Sequence, residues 1–130
     1  DLYTTAMRPD EIIIACEFPM PTSSARFAFL ELARRHGDYA IVGLAATAQV
    51  NAAVLTELRL VFLGTGNIPM RARAAEAQAE GKPLDSTVLE AARAALGGEL
   101  FPVADLYNGA QTKLHLAGVL MGRALKQLAA

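Results

Sequence analysis

The hydrophobic period of this 130-residue chain changes once, at Gly64-Thr65-Gly66-Asn67-Ile68-Pro69, and that switch narrows the fold more than any other feature. Before it lie short β-branched or alternating runs; after it, apolar residues recur at helical spacing. Strands first and helices afterwards is the pattern of an α+β layer, with the helices packed on one face of the sheet. The predicted class is therefore α+β, an antiparallel sheet of three to four strands beside a layer of three helices.

Four runs are candidate strands. Glu11-Ile12-Ile13-Ile14-Ala15-Cys16-Glu17-Phe18 is short and β-branched, and Pro19 and Pro21 close it. Arg26 to Ala33 alternates imperfectly, and Ile41 to Val50 is small and apolar. Val54 to Leu63 places Leu58, Leu60 and Phe62 on one face and Glu57, Arg59 and Val61 on the other. Three of these runs are consecutive, so an antiparallel meander is the simplest pairing. Beyond the switch, Met70 to Glu80 favours helix and ends at Gly81 and Pro83. Asp85, Ser86 and Thr87 offer N-cap oxygens to a second helix that runs to Gly97-Gly98. Asn108 is the expected cap of a third, with Leu114, Ala117, Met121, Ala124, Leu125 and Leu128 forming one stripe.

A chain of this length is one domain's worth and buries roughly two thirds of its unfolded surface. The hydrophobic fraction is 53% against 19% charged, which excludes disorder and predicts that some apolar surface meets a partner or a second copy. Twelve basic and 13 acidic residues nearly cancel, leaving no electrostatic footprint for nucleic acid. The longest apolar runs, such as Leu116 to Met121, fall far short of the roughly 20 residues that span a bilayer. The first residues show no basic segment leading into an apolar one, so no signal peptide is expected, and a cytoplasmic location follows. The opening at Asp1 suggests a piece of something longer. The single Cys16 sits among isoleucines and reads as a small core residue.

The motifs that carry chemistry are sparse. Gly64-Thr65-Gly66 stands between a strand and a helix, where a phosphate-cradling turn would be, but Pro69 replaces the third glycine of a dinucleotide fingerprint. A plain strand-to-helix turn is the simpler expectation. His36 and Asp38 share one loop and resemble a base with its orienting carboxylate, yet no nucleophile stands beside them. Two histidines and one cysteine without close spacing argue against a metal site. Arg34-Arg35 offers planar donors for a phosphate or carboxylate, or is simply solvated. Tyr3-Thr4-Thr5 suits stacking on a ring and hydroxyl hydrogen bonding, or is a terminal tail.

Two of these segments together carry a resemblance. Tyr3-Thr4-Thr5-Ala6-Met7-Arg8-Pro9-Asp10-Glu11-Ile12-Ile13 and Arg34-Arg35-His36-Gly37-Asp38-Tyr39-Ala40-Ile41-Val42 resemble the C-terminal domain of the FAD-binding medium subunit of molybdenum hydroxylases, the carbon monoxide dehydrogenase and xanthine dehydrogenase family. Tyr107, Lys113, Leu116 to Leu120 and Arg123-Ala124-Leu125 look like that domain's last helix. Two places depart from the pattern: Asn108 to Thr112, where many relatives read Tyr-Arg, and Gly122, where a second arginine is common.

The resemblance implies that residues 1–130 form one domain of a larger subunit whose upstream domains hold most of the FAD. The molybdenum cofactor and [2Fe-2S] clusters would reside in partner subunits. By the same resemblance, Tyr3, Thr4, Arg35, Asp38 and Tyr39 border the flavin ring, where their aromatic, hydroxyl and charged groups tune it rather than make bonds. The alternatives are an interaction module docking through its Ala-rich helices, and a small enzyme built on His36 and Asp38.

Overall fold

The computed structural model describes residues 4–130 and contains four strands and three helices in the order β1 (Ala25–Leu32), β2 (Val42–Asn51), β3 (Val54–Leu63), β4 (Met70–Arg71), α1 (Arg73–Ala79), α2 (Ser86–Leu96) and α3 (Ala110–Ala129). The strands form one antiparallel meander in the order β1-β2-β3-β4. Register sorts the side chains. Leu30, Leu44 and Phe62 line up across three strands, as do Ala28, Ala46 and Leu60, and these rows face the helices. The intervening rows, Phe29-Ala45-Val61 and Phe27-Thr47-Arg59, face away from the helices. Since strand side chains alternate, this register assigns one full face to the core and leaves the other uncovered.

Helix α3 lies across β1 and β2, α1 rests on β3, and α2 packs against both helices. The stripe expected on α3 is the one that is used: Ala117, Met121, Ala124, Leu125 and Leu128 are buried, joined by Leu120. Asp85 caps α2 as predicted, its Oδ1 accepting the Val88 amide at 2.8 Å. The cap of α3 is Gly109 instead of Asn108, because the Asn108 side chain turns back to donate to Asp105.

Three expectations fail for identifiable reasons. The run Glu11–Phe18 makes no strand. Its isoleucines are β-formers without a neighbouring strand to pair with, and Ile14 is 90% exposed. Cys16 is accordingly exposed and not a core residue. The helix expected from Met70 begins only at Arg73, because Met70 and Arg71 are taken into the sheet by pairing with Phe62 and Val61.

That short β4 also sets an ion pair. Arg71 Nη2 and Nε each lie 2.9 Å from a carboxylate oxygen of Glu76, and Glu76 Oε1 accepts the Leu60 amide at 2.8 Å. The buried Glu76 thereby ties α1 to two strands. The β2–β3 hairpin turns through Ala52 and Ala53 at φ 49° and 63°, the left-handed pair that a two-residue turn of this hand requires.

Candidate functional site

The loop of residues 33–41 joins β1 to β2 at one end of the sheet. Its root is closed by the Ile41 amide donating to Leu32 O at 2.7 Å, and its tip turns where Asp38 N donates to Arg35 O at 3.2 Å. Gly37 stands between them at φ +81°, a conformation that disfavours any side chain. Asp38 Oδ1 accepts the amide of Tyr39 at 2.9 Å, an interaction that stiffens the tip. Tyr39 is 95% exposed, with its ring held outward. The turn after β3 buttresses the root: a Cβ on Gly64, itself at φ +77°, would stand 2.5 Å from Ile41 O.

A second loop, residues 101–109, comes up beside the first. The Arg34 guanidinium lies over the Tyr107 ring, 4.0 Å from its centroid. Beneath Tyr107, Asp105 Oδ1 accepts the amides of Tyr107 and Asn108, each at 2.8 Å, while Oδ2 lies 2.9 Å from Lys113 Nζ. Lys113, on the first turn of α3, is buried and also donates to Val103 O at 2.9 Å. The Lys113 ammonium and the amides of Tyr107 and Asn108 hold the Asp105 carboxyl well below the usual carboxylate range. Arg34, Asp38 and Tyr39 from one loop, with Asp105 and Tyr107 from the other, line an open recess of about 280 Å³.

The loops separate the residues predicted from sequence. Asp38 and Tyr39 line the recess beside Tyr107, whereas Arg35 lines a second hollow with His36 and Gly37. Thr4 is exposed, and among the described residues no hydrogen bond or ion pair links it to the loop. Tyr3 lies outside the described residues. His36 and Asp38 are both exposed, and no hydrogen bond joins them, so the pair does not form a base with its orienter.

The phosphate reading of Gly64-Thr65-Gly66 has a physical answer. Glu99 reaches back from the end of α2 to accept the amides of Ala74 and Ala75 at 2.8 and 3.2 Å, so its own carboxylate occupies the N-terminus of α1. Among the described residues no group of three His, Cys, Asp or Glu could hold a metal ion, and no helix is long and apolar enough to cross a membrane.

Sequence reasoning missed the Arg34–Tyr107 stack and its Asp105–Lys113 support. The turn at Asp105 carries a local signal, an acidic residue followed by acceptable turn positions, but the meeting of residues 34 and 107 is tertiary.

Relatives share this architecture. The carbon monoxide dehydrogenase medium chain of Afipia carboxidovorans is 27% identical over 125 residues, covering 96% of this chain and 43% of its own length. The 6-hydroxypseudooxynicotine dehydrogenase complex subunit alpha of Paenarthrobacter nicotinovorans is 30% identical over 129 residues, covering 95% and 42%. The chain thus spans less than half the length of these relatives. Among solved structures, carbon monoxide dehydrogenase from Hydrogenophaga pseudoflava superposes with a TM-score of 0.78 at 28% identity, covering 85% of this chain and 38% of that one. Quinoline 2-oxidoreductase from Pseudomonas putida 86 gives 0.74 at 27%, covering 85% and 39%. Residues 27–128 match the CO dehydrogenase flavoprotein C-terminal domain, and with the antiparallel sheet and its three helices matching the solved relatives, this chain belongs to that family.

Proposed function

We propose that this chain is the C-terminal domain of the FAD-binding subunit of a molybdenum-containing hydroxylase or dehydrogenase, and that it helps to position and tune the flavin. In that setting electrons leave a molybdenum cofactor, cross [2Fe-2S] clusters in partner subunits, and pass through FAD to an external acceptor. The partners are the upstream FAD-binding domains of the same subunit and the iron-sulfur and molybdenum subunits; the setting is the cytoplasm.

The observation that carries this reading is the exposed tip of the 33–41 loop on a family scaffold. A phenol, a carboxylate and two guanidinium groups are displayed there on a backbone that hydrogen bonds hold in place. Their donor set suits one wall of a flavin site. The Gly64-Thr65-Gly66 turn supplies no pyrophosphate cradle, since Glu99 already holds the amides at the start of α1. FAD, when bound, supplies the redox chemistry. The chain's residues would act around it: the Tyr39 ring covers an apolar surface and excludes water, Arg35 favours added negative charge, and Asp38 opposes it. Thr4 and Tyr3 would contribute from the segment that follows the junction with the upstream domains.

The test uses the subunit translated from the whole gene. Tyr39→Ala is expected to shift the flavin absorbance bands and reduction potential or to lower flavin occupancy. Unchanged spectrum, potential and occupancy would remove Tyr39 from the site. A reading as a docking module draws on a different observation, the uncovered sheet face with Phe27 and Phe29. It predicts a polypeptide that binds no flavin at all.

A further inference from the structure

Lys113 poses a question that the fold alone does not answer. A buried ammonium is costly unless it is fully paired, yet this one spends its hydrogen bonds on Val103 O and Asp105, both in an exposed loop that contributes little to the core. Its partner Asp105 in turn fixes the amides of Tyr107 and Asn108. The result is a tyrosine on a loop tied to α3, its ring lying under a guanidinium from a different loop, 4.0 Å from the centroid. Among the described residues Arg34 makes no hydrogen bond or ion pair. Its Cζ lies 4.0 Å from the Tyr107 centroid, and its N–H donors remain available for an acceptor.

We propose that Tyr107, clamped through Asp105 and Lys113, is a positioning residue that presents the donor edge of Arg34 to an acceptor on the flavin side of the loop. This rests on the function proposed above and deepens it: Arg34 joins Arg35, Asp38 and Tyr39 at the flavin wall, and Tyr107 acts only through Arg34. An arginine is suited to this role because its planar fork can stack and donate at once, which a lysine cannot do.

Two measurements test it. In the 130-residue chain, Tyr107→Leu should speed amide hydrogen exchange in residues 33–41 by about two- to fivefold, the factor that an exposed cation–π contact supports, while Tyr107→Phe keeps the wild-type rate. In the whole subunit, Tyr107→Leu and Arg34→Lys should shift the flavin reduction potential in the same direction, and Tyr107→Phe should restore it. Exchange unaltered in Tyr107→Leu overturns the brace. Faster exchange with an unmoved potential, where Tyr39→Ala still perturbs the flavin, overturns the role of Arg34 and leaves the proposed function standing. If neither Tyr39→Ala nor Tyr107→Leu perturbs the flavin, both readings fall.

Discussion

The two faces of the sheet are built from the same three strands and could hardly differ more. Facing the helices, Phe62 is fully buried in a row with Leu44 and Leu30. Facing the other way, Phe27 and Phe29 are 60% and 62% exposed beside Val61 and Arg59. The covered face needs nothing beyond the chain itself, since α1 and α3 lie on it and α2 packs against both. The open face displays this aromatic area uncovered, and the run Glu11–Phe18 is exposed as well and joins no strand. The same strands thus carry a packed face and an open face on a single layer, with the charged loop at one end of it.

The sharpest attempt to break this contrast is a matched pair of truncations. Phe62→Ala should lower the unfolding free energy by about 3–5 kcal/mol, because it leaves a cavity in the core, whereas Phe29→Ala should change it by no more than about 0.5 kcal/mol. Urea denaturation measures both. A comparable loss for Phe29→Ala, growing with protein concentration, would mean that a second copy covers the open face in solution.

A smaller effect separates charge from hydrogen bonding behind the covered face. Glu76→Ala strips the buried Leu60 amide of its acceptor and should cost about 2 kcal/mol, while Glu76→Gln retains an acceptor oxygen and should cost roughly half as much. Equal losses in the same denaturation assay would show that the charge facing Arg71 dominates.

The smallest effect lies at the rim. Asp105 has its folded pKa lowered, first by Lys113, so its contribution to the loop is complete above the unfolded value and is lost only as pH falls through the folded one. The Tyr107 amide resonance should therefore stay constant from pH 7 down to the ordinary aspartate value of about 3.9 and move only below it. A midpoint near that ordinary value would show that the Lys113 clamp does not form.

Most of the fold was legible because period and spacing are local. The meander, the Asp85 cap and the α3 stripe each depend on residues a few positions apart. What misled was also local. The isoleucines of Glu11–Phe18 have strand propensity but no neighbouring strand, and propensity cannot supply one. Met70 and Arg71 carry helical company in sequence, yet the free edge of β3 claims them. At the candidate site, the loop announced itself through its abrupt charge, whereas its support was invisible. Tyr107 and Lys113 acquire meaning only once residues 101–109 fold against residue 34, and no spacing rule connects them.

The near-contact between Gly64 and Ile41 O divides the charged loop into a part that can vary and a part that cannot. Even a methyl group at 64 would push the loop's last residue off the strand it enters, so the root is frozen by a neighbour far away in sequence. From Arg35 to Tyr39, by contrast, no buried side chain constrains the tip. New tips can therefore be grafted between Arg34 and Ala40 to retune whatever stands in front of them, with no redesign of the scaffold behind.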